Sequence, residues 1–290
     1  MGVETTIDGV RAAVHAARQD GRVVAFVPTM GALHEGHLSL VRLARERAAA
    51  GGGEPFLVLS IFVNPAQFGP GEDLESYPRD LERDGAAAEA AGVDLIFAPA
   101  VREMYPEGFR TRVRVEEISE PLCGRGRPGH FDGVALVVAK LLNIVAPDLT
   151  VFGRKDAQQA LLVRRLAADL NQPGEIILGE TVREEDGLAL SSRNAYLSAE
   201  DRAAAPAISR GLFAARSAYA AGERDPAELR AAVRREIDAA GPLRAEYVEI
   251  VDREGLAPWT GEGPALLAVA VRAGSTRLID NVWLGGEGTA

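Results

Sequence analysis

The chain has 290 residues, long for one domain and comfortable for two. Its 47% hydrophobic and 26% charged content fits a soluble globular protein, and a net charge of −10 argues against a broad nucleic-acid footprint. A lone cysteine, Cys123, excludes an internal disulfide and points to a reducing cytoplasm, while no apolar run reaches the roughly 18 residues of a membrane span. The N-terminal stretch, with Glu4 and Asp8 and no long apolar block, does not read as a signal peptide.

Ile7, Val10 and Val14 recur at helical spacing, so a helix precedes the apolar run Val23–Val27, a buried strand. Pro28 to His37 is a Gly-bearing turn leading into a helix from about Gly36 to Ala50, and Gly51-Gly52-Gly53 breaks it. Phe56–Phe62 is a second buried strand, followed by a turn-rich loop through Asn64-Pro65 and Gly69-Pro70-Gly71. A helix over about 79–91 leads to a short strand, Asp94–Ala98, and residues 111–115 alternate like another small strand. The apolar stretch 130–145 is helical and closed by Pro147. Leu149–Phe152 is a strand, 156–170 a helix and Glu175–Leu178 a strand. Strands alternating with helices imply a doubly wound, mostly parallel α/β sheet, with ligands beyond the carboxyl ends of its strands. After Gly179 the texture changes. Ser198 is a candidate N-cap for a long Ala-rich helix, and Asp225-Pro226 opens another. Runs at 245–251, 265–271 and 276–284 read as strands, and the Gly-rich tail after Leu284 as frayed. The division expected is 1–179 for the larger domain and 180–290 for a smaller α+β domain.

The turn after the first buried strand carries His34-Glu35-Gly36-His37. Backbone N–H groups at a helix start favour an anion, and two imidazoles add donors for phosphate oxygens. The spacing is not the i, i+4 of a zinc-protease helix, and a core role would require both rings to find partners in a Gly-rich turn. Of the 32 basic residues only Lys140 and Lys155 are lysines. Lys155, in Gly153-Arg154-Lys155-Asp156, follows a strand and opens a helix, where a compact ammonium can hold a phosphate. Lys140 sits in a packed helical context without a catalytic role. Ser191-Ser192-Arg193-Asn194 is a polar cluster suited to a polyphosphate tail, and Gln67, in Asn64-Pro65-Ala66-Gln67, could reach a small polar substrate. Gly124 to Gly129 satisfies G-x-G-x-x-G, but no buried strand immediately precedes it and Pro128 falls inside it, so it is no dinucleotide fingerprint. Arg125 and Arg127 of that loop would face solvent or an anion. His130 is either a further imidazole near the site or a helix-start histidine satisfied by its neighbours. Neither a P-loop nor a G-x-S-x-G motif is present.

In order, the runs at 28–42, 62–84, 127–148, 152–159, 186–198 and 277–284 closely resemble the pantoate–β-alanine ligase (pantothenate synthetase) family. That family lies within the nucleotidylyltransferase superfamily, marked by a His-x-x-His turn of the "HIGH" type. The resemblance covers essentially the whole chain. It implies a Rossmann-like fold with a C-terminal lid domain, a cytoplasmic homodimer, and no nucleic-acid or membrane partner. It also implies an ATP- and Mg2+-dependent condensation of pantoate with β-alanine through a pantoyl adenylate, releasing AMP and pyrophosphate. By the same resemblance His37, His34 and Lys155 are catalytic. ATP would be bound by Met30, Gly31, Ala32, Leu33, His34, Glu35, Gly36, His37, Gly153, Arg154, Lys155, Asp156, Val182, Leu190, Ser191, Ser192 and Arg193. Gln67 and Gln159 would bind pantoate, with β-alanine also near Gln67, and Asp84 would anchor magnesium directly or through water. The 63–78 loop, with Tyr77, would cover the adenylate. Arg154 and Arg83 depart from the family pattern, the second of them beside the proposed metal anchor. Two other readings share these features: a nucleotidylyltransferase acting on another small substrate, and a non-catalytic ATP-binding regulator.

Overall fold

Residues 1–286 are described by the computed structural model, so residues 287–290 of the Gly-rich tail lie outside the described residues. In chain order come β1 (Gly2–Glu4), α1 (Ile7–Gln19), β2 (Val23–Thr29), α2 (Glu35–Ala50), β3 (Pro55–Ile61), α3 (Leu81–Ala90) and β4 (Leu95–Phe97). Then follow α4 (Val101–Met104), α5 (Cys123–Gly126), α6 (His130–Val145), β5 (Leu149–Gly153), α7 (Ala157–Asp169) and β6 (Glu175–Gly179). The remainder holds α8 (Ala199–Ala204), α9 (Ala207–Ala220), α10 (Pro226–Ala239), β7 (Leu243–Asp252), β8 (Ala265–Ala273) and β9 (Thr276–Leu284).

The first six strands form one parallel sheet in the order β1-β4-β3-β2-β5-β6. From β2 the chain winds outward through β3 and β4, then returns to lay β5 on the other side of β2. The carboxyl ends of β2 and β5 therefore flank the switch point where such sheets bind ligands. On one face, Ala25 and Val27 pack with Leu40, Val41, Ala44 and Ala48 of α2 and with Leu57, Leu59, Ile96 and Val151 of the sheet. The helix comes close: a Cβ on Gly179 would stand 2.4 Å from the Leu40 side chain, so a larger residue there would have to displace it. Helix α6 is apolar almost all round and correspondingly buried, packing against α1 and β2. Val10, Val14 and Ala17 form the buried stripe of α1.

Contacts divide the chain into two units, one comprising 1–119, 127–154 and 162–180, the other 120–126, 155–161 and 181 onward. The second unit is built on the antiparallel sheet β7-β8-β9. Its core joins Ile208 and Leu212 of α9 with Leu229, Val233 and Ile237 of α10, against Val248, Ile250, Leu267, Val269 and Val282.

Three local features differ from expectation for identifiable reasons. Residues 111–115 alternate in sequence but pair with no strand, and of the two valines only Val115 is buried. The single long helix expected from Ser198 is two, α8 and α9, parted around Pro206, which lacks the N–H a continuous helix needs. Strand β1 goes unread because three residues are too few to show a period.

Candidate active site

The turn from β2 into α2 is held by its own side chains. Gly31 (φ +83°) and Ala32 (φ +51°) both lie in the left-handed region, a strained conformation for alanine. Asp84, only 2% exposed on α3, compensates: Oδ2 accepts from the Ala32 amide and Oδ1 from the Leu33 amide, both at 2.8 Å. The Gly31 amide donates to Thr29 Oγ1 at 3.1 Å. His34 is the N-cap of α2, its Nδ1 accepting from the Gly36 amide at 3.1 Å, and His37 at N3 accepts at Nδ1 from the His34 amide at 3.4 Å. The His-x-x-His spacing is thus a capping box made of imidazoles. Each Nδ1 accepts, so each neutral ring carries its proton on Nε2 and can donate from there. Their centroids lie 4.1 Å apart. The amides of Gly31, Ala32, Leu33, His34 and Gly36 are thus taken by protein partners, which differs from a turn whose backbone N–H groups stand open to an anion. Met30, Ala32, His34, Gly36 and His37 are half-buried, and Glu35 is exposed.

Asp84 was expected to anchor magnesium, yet both its oxygens bind turn amides. Among the described residues no group of three His, Cys, Asp or Glu side chains could hold a metal. The residues do not fit a resident magnesium site. Arg83 is exposed, its amide capped by Asp80 at 3.0 Å, so its departure from the family pattern bears only on the surface of α3. Asp84→Asn would offer one acceptor where two amides need one each. It is expected to lose about 1–3 kcal/mol of stability in urea titration. A variant as stable as the parent would show that the turn does not depend on this carboxylate.

After β3, Asn64 (1% exposed) organises the next loop. Its Oδ1 accepts from the Ala66 amide at 3.3 Å and from Tyr105 Oη at 2.8 Å. Its Nδ2 donates to Gly133 O at 3.1 Å and to Gln67 Oε1 at 3.0 Å. That last bond fixes the Gln67 amide with its Nε2 3.1 Å from Met30 Sδ, beside the β2 turn. Burial pushes Tyr105 up to about 12, which keeps the phenol a donor at neutral pH. Asn64 is the organising residue that sequence reading passed over; its signal was an Asn-Pro step at a strand end. The Lys140 ammonium lies 4.9 Å from the Phe109 ring centroid, and desolvation lowers its pKa, in keeping with a packing role. Tyr77 is buried and meets Phe68 edge-on at 6.0 Å.

Arg127 is half-buried and turned to protein partners rather than to open solvent. Its Nε and Nη2 chelate Glu72 at 2.7 and 2.6 Å, and its Nη1 meets His130 Nε2 at 2.9 Å. Arg127 holds the Glu72 carboxyl below its ordinary value. The pair therefore stabilises the fold above the unfolded carboxylate pKa, and that contribution disappears as pH falls through the lowered value.

At the end of β5, Gly153 is followed by a 3-10 turn, Arg154–Asp156. Arg154 pairs with Glu180 at the end of β6, where Gly153 and Gly179 sit opposite each other. Its guanidinium is engaged in that pair, and the family departure changes a strand-end ion pair.

In the second unit, Asn281 Nδ2 donates to the Lys155 carbonyl at 2.9 Å, tying the lysine's backbone to β9. Lys155 and Gln159 are half-buried and Asp156 is exposed. The adjacent Gln158 is committed to structure, its Oε1 accepting from the Cys123 amide at 3.0 Å and its Nε2 donating to Pro121 O at 2.8 Å. Val182 and Leu190 are joined by a 3.0 Å backbone hydrogen bond, and Ser191 Oγ accepts from the Arg193 amide at 3.2 Å to open the 3-10 turn Ser192–Tyr196. Arg183 grips the buried Asp280 bidentately at 2.6 and 2.9 Å, riveting this loop to β9. That pair spans 97 residues and left no trace in the local sequence.

The model of the family described as pantoate-beta-alanine ligase matches residues 2–283. A pantothenate synthetase of Pelotomaculum thermopropionicum is 55% identical over 98% of this chain and 99% of its own length. The crystal structure of pantothenate synthetase from Thermus thermophilus superposes with a TM-score of 0.89 at 50% identity, covering 97% of this chain and 99% of that one. The pantoate-beta-alanine ligase from Francisella tularensis, complexed with beta-gamma ATP and beta-alanine, matches over the full length of both chains at 30% identity and a TM-score of 0.77. Matched over residues 2–283, and sharing the fold of these enzymes, the chain belongs to the pantoate–β-alanine ligase family.

Proposed function

We infer that this ligase, which condenses pantoate with β-alanine using ATP, works through a pantoyl adenylate. The observation that carries the reading is the imidazole capping box at the head of α2, two Nε2–H donors beyond a buried strand at the sheet's switch point. In the first step a pantoate carboxylate oxygen attacks the α-phosphorus of ATP. The bond to the bridging oxygen breaks and pyrophosphate leaves with its electrons. In the second, the neutral amine of β-alanine attacks the acyl carbon, the acyl–phosphate bond breaks, AMP leaves, and the amine gives up a proton.

Such steps depend on positioning and on donors aimed at oxygens that gain charge. His34 and His37 supply two of these donors, with His37 the proton donor. Lys155 supplies a compact positive charge for the phosphates. Ser191, Ser192 and Arg193 take the triphosphate tail, while Met30, Gly153, Asp156 and Val182 meet the nucleoside. Gln67 has its oxygen taken by Asn64, so it meets pantoate through Nε2–H, a donor suited to hydroxyl and carboxylate oxygens. Gln159 is the second pantoate contact. Magnesium arrives on the phosphate oxygens as part of the substrate. The enzyme acts in the cytoplasm as a homodimer, a reading supported by the family resemblance and, for the compartment, by a single cysteine. No helix among the described residues is long and apolar enough to cross a membrane.

The test follows AMP and pyrophosphate together. With pantoate and ATP alone, one enzyme equivalent of pyrophosphate is expected to form in a burst with the adenylate retained, and β-alanine is expected to release AMP and amide. AMP release that needs neither pantoate nor β-alanine would reject the reading.

A further inference from the structure

Gln67 is also held through its main chain, by residues to which the reaction assigns no role. His130 Nδ1 stands 2.7 Å from the Gln67 carbonyl oxygen, and its Nε2 is 2.9 Å from Arg127 Nη1. A guanidinium only donates and a carbonyl only accepts. Together these partners leave His130 one state: neutral, with the proton on Nδ1 donated to Gln67 and Nε2 accepting from Arg127. Arg127 is itself oriented by its bidentate grip on Glu72, whose Oε2 also accepts from the Gly69 amide at 3.2 Å. The head of α6 lies directly on this segment, since a Cβ on Gly133 would stand 2.2 Å from Ala66 O and 2.7 Å from Gln67 Cα.

We propose that His130 is a positioning residue for pantoate binding. Locked by Arg127 in the Nδ1–H tautomer, it holds the Gln67 carbonyl and so fixes the main chain from which the Gln67 amide, oriented by Asn64, reaches the substrate. This rests on the reading that Gln67 binds pantoate. His130 touches no substrate; it acts through the residue that does. Glu72 stays ionised at neutral pH and keeps Arg127 in its bridging geometry.

The experiment compares Gln67→Ala, His130→Ala, His130→Asn and His130→Gln by steady-state kinetics in pantoate and in ATP, with circular dichroism to establish folding. An asparagine amide nitrogen falls near the position of Nδ1, and a glutamine amide nitrogen near that of Nε2. His130→Ala and His130→Gln are expected to raise the KM for pantoate by roughly tenfold or more, with the KM for ATP changed by less than about twofold. His130→Asn is expected to recover most of the loss. If asparagine rescues no better than glutamine, or if the KM for ATP rises in step, His130 is a general structural residue and the proposal falls. A near-normal KM for pantoate in His130→Ala beside a crippled Gln67→Ala also overturns it, leaving the Gln67 reading intact. A near-normal KM in Gln67→Ala removes the reading beneath the proposal instead.

Discussion

His37→Ala is expected to lower kcat by at least about a hundredfold, the scale for losing a donor that meets charge developing in the transition state. The ring has two separable jobs. Its Nδ1 accepts the His34 amide and so helps cap α2, while its Nε2 carries the proton assigned to the phosphate. Side-chain amides divide these jobs. His37→Asn can place an acceptor near Nδ1 and keep the cap; His37→Gln can place an N–H near Nε2 and keep the donor. Initial rates of AMP formation should recover in part with glutamine and not with asparagine. Thermal melting should rank the same two variants the other way. A kcat within tenfold of the parent in His37→Ala would remove the residue from the chemistry.

Lys155→Ala should lower kcat at least as far, by about a hundredfold, with the circular dichroism spectrum unchanged. The backbone of Lys155 is anchored from β9 through Asn281, so truncating the side chain removes charge without releasing the turn. Lys155→Arg is the sharper variant. This chain has 32 basic residues of which only two are lysines, so arginine serves nearly everywhere a positive charge is enough. A planar guanidinium cannot present its charge as a compact point. Less than half of the lost activity should therefore return with arginine. Full activity in Lys155→Arg would mean that charge alone matters.

Much of the sheet could be read from the chain because buried parallel strands are continuous apolar runs. Val23–Val27 and Phe56–Ile61 announce themselves, and the glycines and prolines between them punctuate the helices. The candidate site residues were picked out for a related reason: His34, His37, Lys155 and Gln67 follow strand ends or open helices, where local sequence carries structural meaning. What stayed hidden was non-local. Asp84 reads as one acidic residue among several on a helix, and its partners lie 51 and 52 residues earlier. Arg127 reads as a loop arginine facing solvent or an anion, and its carboxylate partner is 55 residues away. Neither has a period or a cap signature. The alternation at 111–115 misled for the converse reason, because pattern alone cannot supply a neighbouring strand to pair with.

The self-sufficiency of the turn between β2 and α2 bears on the state of the enzyme between turnovers. Five of its amides are satisfied from within, so the loop's shape is set by its own side chains and by Asp84. The imidazoles stand on a helix whose first turn is capped by their own Nδ1 atoms. On the proposal that these rings meet ATP, the work of orienting their dipoles is completed once, during folding, and charge building on phosphate would find its donors already in place.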